Sequence, residues 1–269
     1  MKKILLIGCG HMGNALLTAW IKTDTYNLTI IDPIKYKSLK NKFKNKKVEI
    51  IKSVTDLKKN INFDIIIFAT KPRDLNDVLN QLCKIKINKK TIRASIIAGK
   101  KIKTFKKNYK NFKNIFRVMP NMPALINQSM NCVVANKQAN RLSINEVLKL
   151  FSYSGKTILL ESEKYIDMAT AISGSGPGFV FNIIDAMESA ANKLGFKKEI
   201  SKILVTETFS GSVNLLLENK LNAKELVSTV ATKGGTTEAG LKIMKKNNLH
   251  KIFEELTRAA YKKAKEQGN

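Results

Sequence analysis

The stretch from Lys2 to Asp32 constrains the fold of this chain more than any other. Lys3-Ile-Leu-Leu-Ile-Gly8 is an apolar run of strand length ending in glycine, and Gly8-Cys-Gly-His-Met-Gly13 completes a G-x-G-x-x-G. Asn14-Ala-Leu-Leu-Thr-Ala-Trp20 continues with apolar residues at helical spacing, and a second strand, Leu28-Thr-Ile-Ile31, ends at the acid Asp32. Strand, glycine turn, helix, strand and terminal acid, within about 30 residues, have the spacing of a βαβ unit that binds a dinucleotide. Each glycine has its own task. Gly8 makes the tight turn, Gly10 lets backbone N–H groups approach a pyrophosphate, and Gly13 lets the helix lie close to the strand. Asp32 stands 19 residues after Gly13, where a carboxylate can accept hydrogen bonds from an adenosine ribose. The plainer alternative is an ordinary glycine turn in a parallel sheet.

A chain of 269 residues can fill one large or two modest domains. No apolar run approaches the ~20 residues of a membrane span, and the N-terminus enters a strand at once, so a cytoplasmic protein is expected. Cys9, Cys83 and Cys132 form no C-x-x-C pair, and two histidines do not suggest a zinc site. The net charge of +27 raises nucleic-acid binding as a possibility. Only five of the 48 basic residues are arginine, however, and the lysines are scattered among asparagine and isoleucine. Base readers and phosphate clamps favour arginine forks, so the charge reads as compositional bias and no specific nucleic-acid partner is expected.

Further strands are expected at Val48–Ile51, at Asp64-Ile-Ile-Ile-Phe-Ala69, at 91–98, 114–119 and 130–134, and at 156–160. The continuous apolar character of 64–69 marks a strand buried on both faces. It ends in Thr70-Lys71-Pro72, at the carboxyl edge where ligands bind in such sheets, so Lys71 is a candidate neighbour of the cofactor. Short helices are expected within 35–47 and at 56–59. Pro120-Asn-Met-Pro123 reads as a rigid loop. From Glu163 on, the strand-like runs stop and helical periodicity takes over, with helices at about 163–171, 178–194, 198–218, 223–230, 236–247 and 249–266. Ser173-Gly-Ser-Gly-Pro177 reads as a flexible turn, and Gly234-Gly-Thr-Thr237 as a glycine pair opening a helix. Those features put the boundary near residue 161: a sheet domain, 1–161, and a helical domain, 162–269.

The chain resembles the pyrroline-5-carboxylate reductase family in six stretches running in order over almost its whole length. They are Ile7-Gly-Cys-Gly-His-Met-Gly13, Ala69-Thr-Lys-Pro72, Ser95-Ile-Ile-Ala-Gly99, Arg117-Val-Met-Pro-Asn-Met-Pro-Ala124, Thr170-Ala-Ile-Ser-Gly-Ser-Gly-Pro177 and Val230-Ala-Thr-Lys-Gly-Gly-Thr-Thr-Glu-Ala-Gly-Leu241. The last two are far more specific than a glycine fingerprint. The resemblance implies a Rossmann-type α/β domain joined to an all-α domain that forms a homodimer, sometimes a ring of dimers. It implies reduction of 1-pyrroline-5-carboxylate to proline with NADPH or NADH. The cofactor would meet Gly8, Cys9, Gly10, His11, Met12, Gly13, Asp32, Ala69, Thr70, Lys71 and Pro72, and the substrate would meet Gly235, Thr236, Thr237 and Ser175. Lys233 departs from the family's proline before the glycine pair. Asp32 departs too, since an acid there repels the 2′-phosphate of NADPH, with Lys35 and Lys37 near enough in sequence to offset it.

The chemistry agrees with that reading. A protonated cyclic imine is already electrophilic, so the protein needs to supply orientation and a grip on a carboxylate more than a strong acid. The helix start at Gly234, Gly235, Thr236 and Thr237 is a ready anion site, or else a plain N-cap turn. Apolar positions of 178–218, among them Phe179, Phe181, Ile184, Met187, Ile203, Leu204, Phe209 and Val213, exceed what a small helical domain can cover, which predicts dimerisation through it. Two readings compete with the family: another two-domain dehydrogenase, of the 3-hydroxyacid or F420-dependent type, and a basic binding protein on an inactive fold.

Overall fold

The computed structural model describes residues 1–44, 48–57, 62–108 and 112–268. The first half builds one eight-stranded sheet in the order β3-β2-β1-β4-β5-β6-β7-β8. The strands are β1 (Lys2–Ile7), β2 (Tyr26–Ile31), β3 (Val48–Ile51), β4 (Ile65–Phe68), β5 (Ile92–Ser95), β6 (Ile115–Met119), β7 (Ser129–Ala135) and β8 (Gly155–Leu159). Strands β1 to β6 are parallel, β7 runs antiparallel to β6, and β8 is parallel to β7. The order turns back at β1, with β2 on one side and β4 on the other. Such a switch point opens a crevice at the strands' carboxyl ends, where open α/β sheets bind their ligands.

Helices cover both faces of the sheet: α1 (His11–Ile21), α2 (Tyr36–Lys42), α3 (Leu75–Leu82), α4 (Ile102–Asn108), α5 (Arg141–Ser152) and α6 (Glu163–Ala169). Alternate residues of β1 and β4 enter opposite layers. Ile4, Leu6, Ile65 and Ile67 pack with Leu16, Leu17, Trp20 and Phe151, while Leu5, Ile7, Ile66 and Phe68 pack with Leu75, Leu79, Phe105 and Ile166. That two-sided burial explains the unbroken apolar runs.

The second half is helical: α7 (Gly176–Lys193), α8 (Lys198–Glu218), α9 (Ala223–Val230), α10 (Thr236–Lys246) and α11 (Leu249–Gln267). Asn222 caps α9, accepting from Glu225 N–H at 3.1 Å while Glu225 accepts from Asn222 N–H at 2.7 Å. None of the described helices is long and apolar enough to cross a membrane.

By packing, the chain divides into two compact units: one holds Met1–Ser175 and the chain from Ala260 on, the other Gly176–Ala259. Helix α6 has helical periodicity, but Ile166 sits in the sheet core and Asp167 pairs with Arg117, so it belongs with the sheet. The segment 173–177 is not a flexible turn. Residues Thr170–Gly174 form a π-helical turn that leads into α7, and Ser175 N–H donates to the carbonyl of Thr170 at 2.8 Å. Residues Val54–Asp56 form a 3₁₀ turn; the helix expected at 56–59 lies partly outside the described residues.

Candidate functional site

The glycine loop closes the end of β1. Gly8 has φ +93°, and a Cβ there would lie 2.6 Å from the Ala69 carbonyl oxygen, so both conformation and space demand glycine. A Cβ on Gly13 would lie 2.5 Å from the Gly8 carbonyl oxygen, which is the close helix-to-strand approach expected of it. Gly10, the N-cap of α1, has nothing within 4 Å of its absent Cβ. It brings no side-chain cap to the first-turn N–H groups of His11 and Met12. Open space in front of uncapped donors at a helix N-terminus fits a pyrophosphate.

Ala69, whose N–H donates to the Ile7 carbonyl at 2.8 Å, holds the end of β4 beside the loop. Among the described residues the buried Thr70 hydroxyl has no hydrogen-bond partner. Lys71 and Pro72 follow it and are exposed. Asp32, at the end of β2, accepts from Cys9 N–H at 2.7 Å, Ile34 N–H at 3.1 Å and Lys35 N–H at 2.8 Å. Its carboxylate therefore ties two loops together, a role that spacing alone does not reveal. The Cys9 thiol is pushed up to about 11, mainly by burial and then by the Asp32 charge, with Lys35 and Lys42 opposing.

A second cluster joins two of the matched stretches. Arg117, 4 % exposed on β6, donates to Asp167 of α6 at 2.8 Å and lies 3.8 Å from Glu163. Glu163 accepts from Ile102 N–H at 2.9 Å. Asn121, between the two prolines, donates to the Ser173 carbonyl at 2.9 Å, and its own side-chain oxygen accepts from Met130 N–H at 2.8 Å and from Ser129 at 3.1 Å. Gly174 packs against Met119, where a Cβ would come within 2.7 Å of the thioether methyl. Ser175 follows, half-buried. Sequence reasoning saw both stretches without seeing that Arg117 and Asn121 hold one to the other.

At the start of α10, Gly234 has φ +74° and its N–H donates to the Glu238 carboxylate at 2.8 Å. Gly235 N–H donates to the Thr232 carbonyl at 3.0 Å. Two of the donors expected to form the anion site are thus already engaged. As N-cap, Gly235 brings no side chain to the first turn, which leaves the N–H groups of Thr236 and Thr237 open to an anion.

A switch-point sheet with an open glycine loop defines a dinucleotide-binding fold, followed here by a helical second half. A family model described as pyrroline-5-carboxylate reductase dimerisation matches residues 163–267. One described as NADP oxidoreductase, coenzyme F420-dependent, matches residues 3–99. Pyrroline-5-carboxylate reductase 2 of Bacillus subtilis (strain 168) is 30% identical, over 97% of this chain and 95% of its own. The reductase of Aquifex aeolicus is 30% identical, over 98% of this chain and 96% of its own. The crystal structure of Plasmodium falciparum pyrroline carboxylate reductase with NADP bound superposes with a TM-score of 0.84 at 29% identity, covering 100% of this chain and 98% of that one. The chain belongs to the pyrroline-5-carboxylate reductase family, enzymes that reduce 1-pyrroline-5-carboxylate to proline with NAD(P)H. The matched dimerisation region supports homo-oligomerisation.

Proposed function

We propose that the chain reduces 1-pyrroline-5-carboxylate with its cofactor pyrophosphate on the first turn of α1 and its substrate carboxylate on the first turn of α10. The bound dinucleotide, NADPH or NADH, supplies a hydride for the imine carbon. The N–H groups of His11 and Met12 meet the pyrophosphate, Gly8 and Gly13 shape the turn, and Ala69 to Pro72 border the cofactor. The N–H groups of Thr236 and Thr237 and the Thr237 hydroxyl hold the substrate carboxylate, Gly235 keeps that helix start uncapped, and Ser175 contributes a hydroxyl to the substrate. The F420-type match is confined to residues 3–99, so it bears on cofactor binding and not on the choice of substrate.

The observation that carries the proposal is the uncapped start of α10, where two adjacent N–H groups remain open after Gly234 and Gly235 have spent theirs on Glu238 and Thr232. Thr237→Ala tests it. A charge-assisted hydrogen bond contributes about 1.5–3 kcal/mol, so kcat/KM for the imine falls roughly ten- to a hundredfold with cofactor affinity unchanged. A lower melting temperature with a normal KM would reduce Thr237 to a helix residue. The working unit is a homodimer, alone or in a ring of dimers, built from the helices after residue 162. It resides in the cytoplasm and has no specific nucleic-acid partner.

A further inference from the structure

We propose that Asp32 makes this chain select NADH over NADPH, acting through a carboxylate that the fold holds immobile. The inference rests on the cofactor reading of residues 8–13, and it adds the choice between the two dinucleotides.

Asp32 is 8 % exposed, and its carboxylate receives three backbone N–H bonds from two directions. Cys9 of the glycine loop donates to Oδ2, and Ile34 and Lys35 of the β2–α2 turn donate to Oδ1. Two carboxylate oxygens offer about four acceptor positions, so one, on Oδ2, remains. A ribose hydroxyl is a donor and can take it. A 2′-phosphate has no proton to give near neutral pH and brings its charge up to a fixed negative group.

Two ways of relieving that clash are closed. Swinging the side chain away would leave three N–H groups without partners, one of them in the loop that must meet the pyrophosphate. The N–H groups of Ile34 and Lys35, which a phosphate at this position would otherwise use, are spent on Asp32 itself. Ile34, 86 % exposed, presents an apolar side chain there, suited to an adenine face and offering nothing to a phosphate.

Lysine charge does not reverse the preference. Lys42 Nζ donates to Asn14 Oδ1 at 2.8 Å, which puts it over the first turn of α1. It serves the pyrophosphate common to both cofactors. Lys35 gives its N–H to Asp32, and its ammonium is left on a flexible stem, whereas the carboxylate is fixed at three points.

The test is a titration of the full-length protein with NADH and with NADPH, followed by nicotinamide fluorescence without substrate. Native protein binds NADH about ten- to a hundredfold more tightly. Asp32→Asn keeps an acceptor for the Ile34 and Lys35 N–H groups, removes the charge and narrows that ratio about tenfold, chiefly by improving NADPH binding. Lys42→Ala weakens both cofactors by a similar factor. Equal or tighter NADPH binding by the native protein overturns the proposal, as does an unchanged ratio in Asp32→Asn or a selective loss of NADPH in Lys42→Ala. If Asp32→Asn fails to fold, the native ratio still decides. Binding of neither cofactor removes the loop reading on which the proposal stands.

Discussion

The two halves of this chain bury their apolar residues differently. In the sheet unit, β1 and β4 are covered on both faces and large side chains such as Trp20, Phe68, Phe116 and Phe151 are fully buried. In the unit spanning Gly176–Ala259, the only fully buried residues are Ser201 and Val205, both on α8. Phe181, Met187, Ile203, Leu204 and Val213 lie exposed there. Burial supplies most of the free energy that opposes chain entropy. The first unit therefore carries its own core, whereas the second leaves large apolar side chains uncovered.

Replacing surface on the second unit gives the largest contrast. Leu204→Lys with Leu215→Lys puts charges on one exposed face of α8 while sparing Val205, so the homo-oligomer dissociates completely in light scattering and the sheet unit's tertiary signal remains. An unchanged mass would mean that this face is not the one that assembles. In the first unit, Phe68→Ala opens a cavity between sheet and helices and lowers stability by about 3–5 kcal/mol in denaturant titration. That loss should not depend on protein concentration, whereas unfolding of the helical unit should. If both transitions shift together with concentration, the contrast between the units fails.

The Arg117 cluster tests the boundary. Asp167→Ala leaves a buried guanidinium without its closest partner and costs about 3 kcal/mol. The loss should appear in the sheet unit's transition, because α6 packs there. A loss confined to the helical transition would return α6 to the second half, where periodicity alone puts it.

The smallest effect concerns thiols. With its pKa raised to about 11, buried Cys9 is almost wholly protonated at pH 8, so exposed Cys83 reacts with iodoacetamide first. Cys9 labelling should then quicken about tenfold per pH unit toward 11. Equal labelling at pH 8 would show that the glycine loop opens readily.

Much of this fold was legible in the chain because its signals are local. Apolar runs marked β1, β4 and β6, and helical spacing marked α8 to α11 to within a residue or two. Glycine geometry at Gly8 and Gly13 followed from the fingerprint. What escaped depends on partners distant in sequence or on side chains that answer each other. Ser-Gly-Ser-Gly-Pro has the composition of a turn, yet Asn121 holds the Ser173 carbonyl and the segment winds as a π-helical turn. The reversal of β7 against β6 leaves no local mark. At α10 the glycine pair looked like four open donors, but Glu238, one turn on, occupies the first. Asp32 was visible as an acid at the right spacing. Its three N–H bonds, and so its rigidity, were not.

In the proposed reaction the dinucleotide at the glycine loop reduces a cyclic imine held by its carboxylate. The most direct measurement is the fall in nicotinamide absorbance when the full-length protein meets 1-pyrroline-5-carboxylate and NADH or NADPH, with proline quantified in the same samples. One proline should form for each reduced nicotinamide consumed. A protein that binds the cofactor tightly yet leaves both the absorbance and the imine unchanged would contradict it.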